Sequence, residues 1–278
     1  MSTRRIDRAH GVTVTGGDSQ VDRKALVIPP GYWDLFDPFL MLAEDWFSTP
    51  GFDWHPHRGI ETVTIVVDGA LEHGDNRGNA GVLGPGDVQW MTAGGGIVHR
   101  ELAHRDERVH SLQLWVNLPS MHKMVEARYQ DLSADKLTTV DGLTVVSGRL
   151  GDVTGPAENH WPITGLQVAL EPGTTRTLDL PPADRAFLYV MSGVVHVGDE
   201  VLRGGEVGWS DPADGPLVLN APEGDELVRI VAFSGRPIGE PVVARGPFVM
   251  NTAAEIEYAY RDYMAGRFGP VPELARLP

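Results

Sequence analysis

Two short patterns in this chain carry the residue types of a transition-metal site. His55 and His57 are separated by one residue, and His99 and Glu101 repeat that spacing further along. Successive side chains of an extended strand alternate faces, so residues i and i+2 share one. Each pair thus offers two ligating groups on one face, and two antiparallel strands could aim all four at one point. Neutral imidazole is the commonest protein ligand for a transition metal. Three imidazoles and one carboxylate would hold such an ion and leave positions open to substrate or water. A single His-x-His in a surface strand is more often solvated than ligating. The second pair, also beside a Gly-rich connection, lifts the pattern above that reading.

Other groups could join the site. Glu61 shares odd numbering with His55, His57, Val63 and Ile65, an apolar inward face, although Gly59 can break that register. His73, in Glu72-His73-Gly74-Asp75, could lean towards the site as a hydrogen-bonding or acid/base group, or sit on a surface hairpin. Phe52, Trp54, Trp90 and Met91 could wall a pocket, though core packing is the commoner role for such residues. Gly94-Gly95-Gly96 has no lysine and no helix after it, so it is not a phosphate loop. It is expected to let backbone pass close to the pocket before His99.

These residues must be positioned by strands. Short β-rich runs recur, among them Ile60–Val67, Val109–Val116, Gly165–Leu170, Phe187–Met191 and Val194–Val197, with turn signals such as Asp68-Gly69 and Gly84-Pro85-Gly86-Asp87 between them. Many short strands at this spacing mean a sandwich or barrel, an all-β fold. One helix is expected near the C-terminus, capped by Asn251 or Thr252, striped by Ile256, Tyr260 and Tyr263, and stopped by Gly266. A weak repeat relates Leu83–Trp90 to Leu202–Trp209, with the two Trp 119 residues apart. Two copies of one barrel follow, over 1–135 with the metal site and 136–278 with the helix. Around Leu178–Gly198 the second copy has no His-x-His, and the single His there is His196.

Composition narrows the function. The chain has 278 residues, no cysteine and a formal net charge of −15. Disulfides, thiolate metal sites and a cysteine nucleophile are excluded, and no Gly-x-Ser-x-Gly elbow suggests a hydrolase. The negative charge argues against direct nucleic-acid binding and against an anionic membrane surface. No apolar run approaches the ~20 residues that span a bilayer. Residues Met1–Asp7 have no apolar leader, so a cytoplasmic location is expected. A monomer is expected, because a two-barrel chain can bury its own interface.

Longer strings point to a family. His55-Pro56-His57-Arg58-Gly59-Ile60-Glu61-Thr62-Val63-Thr64 resembles the signature of the pirins, within the cupin superfamily. So do Pro85 to Glu101, Gln113-Leu114-Trp115-Val116-Asn117-Leu118-Pro119 and Gly246-Pro247-Phe248-Val249-Met250-Asn251-Thr252. The resemblance implies a bicupin whose N-terminal barrel alone holds one metal, usually iron. By motif its ligands would be His55, His57, His99 and Glu101. Many cupins instead use a Glu soon after the His-x-His, which makes Glu61 the alternate. Mn, Co, Ni, Cu or Zn would suit the same donors.

The resemblance implies two functions. The first is a quercetin 2,3-dioxygenase, in which a flavonol chelates the metal and reacts with O₂ to give a depside and carbon monoxide. Glu101, Glu61 or His73 would remove the flavonol proton. The second is an iron-dependent redox regulator with a protein partner, a transcription factor or a metabolic enzyme. Arg100, where pirins more often carry a small residue, is read as a solvated residue on the outer face of the His99 strand.

Overall fold

A computed structural model describes residues 3–48, 50–224, 226–273 and 277. Met1 and Ser2, the start of the segment searched for a leader, lie outside these. Among the described residues no helix is long and apolar enough to cross a membrane.

The chain forms two compact units. Each contains a seven-stranded and a four-stranded antiparallel sheet. In the first, the large sheet runs in the order Arg128–Leu132, Val88–Thr92, Ile60–Asp68, Val109–Asn117, Phe39–Phe47, Arg23–Ile28, Val14–Gly16. Its small sheet runs Phe52–His57, Ile97–Ala103, Leu71–Asp75, Ala80–Leu83. The second unit repeats this plan: the repeat strands Val88–Thr92 and Glu206–Ser210 hold the same place, second from the edge, in their large sheets. The small sheet of the second unit runs Thr175–Leu178, Leu217–Asn220, Val194–Val197, Glu200–Arg203.

The division into 1–135 and 136–278 needs correction at both ends. Residues 1–13 belong to the second unit and 238–278 to the first. Arg8–Gly11 supplies the edge strand beside Glu206–Ser210, a place that Arg128–Leu132 fills in the first unit. The C-terminal segment instead folds onto the His-x-His strand. Val249 N donates to the Arg58 carbonyl, and Arg58 pairs with Asp262 at 3.0 Å. Lys123 is buried there and donates to the carbonyls of Gly59 (2.8 Å) and Val249 (3.0 Å) and to Asn117 Oδ1 (2.6 Å). These three bonds use every donor of the ammonium.

The expected helix spans Ala253–Met264 with Thr252 as its cap. Glu255 N donates to Thr252 Oγ1 at 3.3 Å, and the Glu255 carboxylate accepts from the Thr252 hydroxyl and from Asn251 N, the residue before the cap. Ile256 and Ala259 are its buried face, packed with Val98, Phe248, Met250 and Phe268. In the second unit, leucines and valines from both sheets form one continuous apolar core.

Candidate metal centre

The small sheet of the first unit brings the two halves of the pattern together. Ile97–Ala103 pairs antiparallel with Phe52–His57, which sets His99 opposite His55. The ring centres of His55 and His99 lie 4.3 Å apart, those of His55 and His57 4.9 Å, and those of His57 and His99 5.1 Å. Each ring offers one nitrogen, and these three nitrogens fall within 4.8 Å of one another.

The other ring nitrogen of each His is occupied. His55 Nδ1 donates to the Asp53 carbonyl at 2.7 Å, and His57 Nδ1 to the Pro247 carbonyl at 3.3 Å. A carbonyl can only accept, so both rings carry a proton on Nδ1. His99 Nδ1 lies 2.8 Å from the Tyr129 hydroxyl. Nε2 of His57 and of His99 are buried without any partner. A buried ring nitrogen without a partner is costly, and two in one cluster fit a cation. Burial first, and the neighbouring His55 next, hold His57 and His99 well below the usual histidine value. Both rings are therefore neutral at pH 7, the form that ligates. The donor set fits a transition metal, with His55, the half-buried member, on the open side.

Glu101 faces the same way but stands outside that group. Its carboxylate accepts from Thr64 Oγ1 at 2.9 Å and from Gln113 Nε2 at 2.6 Å. Gln113 in turn accepts from Trp115 Nε1 at 3.1 Å, and the Trp115 ring stands edge-on to His57 with centres 5.1 Å apart. A polar chain thus joins Glu101 to the wall of the His cluster.

Glu61 is not part of this assembly. Its carboxylate is fully buried and accepts from Trp90 Nε1 (3.0 Å) and Thr92 Oγ1 (2.7 Å). Thr64, which holds Glu101, has the opposite parity in the same strand, so Glu61, Val63 and Ile65 face away from the His cluster. Gly59, at φ +82°, makes the turn that breaks the register between the two strands. His73 is buried and close, but its Nε2 is bound to Asp131 Oδ2 at 3.0 Å. Its ring stacks on Tyr129, with centres 5.6 Å apart, so it braces the phenol that meets His99.

Other expectations are redirected. Arg100 does point to the outer face of its strand, but it is buried rather than solvated. Its Nη2 donates to Glu72 Oε1 at 3.0 Å, and its guanidinium lies 5.2 Å from the Trp54 ring centre. Trp54 is occupied there, and Trp90 with Glu61, so neither walls the cluster; Trp115 does. The Gly94–Gly96 run packs against the C-terminal segment: Gly95 accepts from Arg58 Nε, and a side chain at Gly96 would meet the Phe268 ring at 2.9 Å. Tyr129, Gln113, Thr64 and Pro247 were not marked by any spacing in the sequence. Their roles come from cross-strand neighbours and, for Pro247, from a segment far along the chain.

In the second unit, the strand in the place of Phe52–His57 is Thr175–Leu178, and that in the place of Ile97–Ala103 is Leu217–Asn220. Leu178, Leu217 and Leu219 are fully buried in the apolar core. His196 is exposed.

Comparison with known proteins agrees with this architecture. Residues 23–116 match the Pirin family model, and residues 165–269 match the Pirin C-terminal cupin domain. A pirin-like protein of Solanum lycopersicum is 39% identical over 91% of this chain and 88% of its own. Human pirin is 38% identical over 84% of this chain and 83% of its own. The crystal structure of a quercetin 2,3-dioxygenase from Acinetobacter baumannii superposes with a TM-score of 0.85 at 31% identity, covering 98% of this chain and all of that one. The fold is thus a bicupin, and the chain belongs to the pirin family.

Proposed function

We propose that the chain is a metal-dependent oxidoreductase of the quercetin 2,3-dioxygenase type, converting a flavonol and O₂ to a depside and carbon monoxide. The observation that carries this reading is the convergence of His55, His57 and His99, each with its Nδ1 engaged and two with buried, unpartnered Nε2 atoms. The name of the A. baumannii neighbour supports the reaction class.

In this reading His55, His57 and His99 hold the metal, with Glu101 as the fourth ligand. Iron suits the donors, as do Mn, Co, Ni, Cu and Zn. The ion would supply Lewis acidity and, if iron, electron transfer. The remaining work falls to side chains. A carboxylate has about four lone-pair sites, so accepting from Thr64 and Gln113 leaves Glu101 capacity to ligate and to take the 3-hydroxyl proton of the flavonol. Gln113 and Thr64 fix the direction of that carboxylate. Tyr129 orients His99, and Trp115 shields His57 from water on one side. Glu61 faces away and His73 is bound to Asp131, so Glu101 carries the proton chemistry.

The test is anaerobic loading with Fe(II), addition of quercetin, then admission of O₂ while the flavonol absorbance is followed. Turnover that is lost in His57→Ala supports the reading. No turnover at full metal occupancy removes it for flavonols and leaves the redox regulator with a protein partner.

A further inference from the structure

Beyond the His cluster, one buried carboxyl is left without a task. Asp45 lies in the strand Phe39–Phe47 and is 7% exposed. Among the described residues no hydrogen-bond donor reaches its side chain. Its oxygens are met by solvent rather than by the protein, which leaves their lone pairs to a ligand donor. Burial first, and the charge of Glu101 second, push it up to about 7. Lys24, Asp18 and Glu44 are the other charges that act on it. Lys24 is engaged by Asp18 at 2.7 Å, and Glu44 by His110 at 2.7 Å.

The register fixes which way Asp45 faces. Directly paired residues put their side chains on the same face of a sheet, as do residues i and i+2 of one strand. Asp45 pairs with Ser111, Ala43 with Gln113, and Met41 with Trp115. Gln113 binds Glu101, and Trp115 stands against His57. Met41, Ala43 and Asp45 therefore form one row beside Trp115, Gln113 and Ser111, on the face that holds the candidate metal centre. Asp45 lies one strand repeat past Ala43, ~7 Å along the row. Leu26, paired with Ala43, is 49% exposed, so this row reaches solvent at its side. On this face Met41, Ala43, Trp115 and Leu26 are apolar, Gln113, Ser111 and Lys24 are polar, and Asp45, paired with Lys24 on one side and Ser111 on the other, is the one carboxyl of its strand. That composition suits a flat aromatic ligand with a polar group at its far end.

We propose that Asp45 is a specificity-determining residue, which accepts a hydrogen bond from a hydroxyl of the substrate distant from the pair that meets the metal. This rests on the flavonol reading and narrows it to flavonols with hydroxyls on the pendant ring.

The test is binding rather than turnover. Protein loaded with Zn²⁺, which has no redox chemistry, is titrated with quercetin and with galangin, the analogue lacking pendant-ring hydroxyls. Quenching of tryptophan fluorescence gives each Kd. Asp45→Ala is expected to weaken quercetin about tenfold and to leave galangin unchanged. Asp45→Asn, which keeps the size and an acceptor, is expected to recover part of that loss. Zinc content and the unfolding midpoint of each variant show that fold and metal are intact. Equal weakening of both ligands, or no weakening of quercetin, overturns the proposal. Failure of both flavonols to bind the zinc-loaded parent overturns the flavonol reading itself, a separate result.

Discussion

The two barrels share a strand order and differ in what fills the middle of the small sheet. In the first, the facing strands carry His55, His57, His99 and Glu101, and the neighbouring large sheet supplies Thr64, Gln113 and Trp115. In the second, the same two places carry Leu178, Leu217 and Leu219 within an apolar core. The leucine version is ordinary packing, in which buried apolar area stabilises the fold. The histidine version leaves two ring nitrogens buried without partners, which costs stability that a bound cation would restore. One architecture thus serves as a closed apolar core in one copy and carries a cluster of converging histidines in the other.

The sharpest way to break this comparison is to give the first barrel the residue of the second. His99→Leu is expected to abolish stoichiometric metal binding, a loss of several orders of magnitude in affinity. Elemental analysis after purification without a His tag measures it, and a variant that still holds one metal per chain would refute the assignment. The converse change probes the closed core. Leu219→Ala should cost about 2–5 kcal/mol from cavity formation. Urea unfolding with and without chelator should give the same cost in both, since among the described residues the ligand cluster lies in the first barrel.

A third prediction concerns pH in the metal-free protein. Asp45 is raised to about 7 from 3.8, so the native state holds a proton that the unfolded state has released. Its contribution is complete below the unfolded value and is lost as pH rises through about 7. Stability should fall between these limits, by at most about 4 kcal/mol, and Asp45→Asn should flatten the slope. His57 and His99 act oppositely, because their lowered values favour the native state above the ordinary histidine value. A parent and variant with identical slopes in denaturant titrations would refute the Asp45 term. The smallest effect is expected for Tyr129→Phe, which removes the hydroxyl that orients His99. Metal affinity should weaken about 10–100-fold, read from competition with a chelator of known affinity.

Much of the site could be read without coordinates because it rests on local spacing. His55-x-His57 and His99-x-Glu101 each need only a strand to place both side chains on one face. The helix was legible for the same reason, through the Thr252 cap and the Ile256 stripe. What failed depended on partners distant in sequence. Parity suggested that Glu61 looks inward, but the Gly59 turn hands the chain to another sheet and reverses its face. Arg100 was rightly placed on the outer face, yet Glu72 and Trp54 cover that face. Tyr129 and Asp45 carry no local signature, and Gln113 stands in a family-like string that does not say what it touches; register alone brings them to the centre.

The crossed assignment of the termini bears on how the molecule is made. The barrel built from 1–13 and 136–237 has its whole sequence outside the ribosome while the other still waits for 238–278. The later barrel is the one with the histidines, and the Pro247 carbonyl that fixes His57 follows it by 190 residues. During synthesis the copy nearer the start of the gene therefore finishes second. The barrel whose main stretch comes earlier in the sequence is thus the one whose last segment comes latest in it.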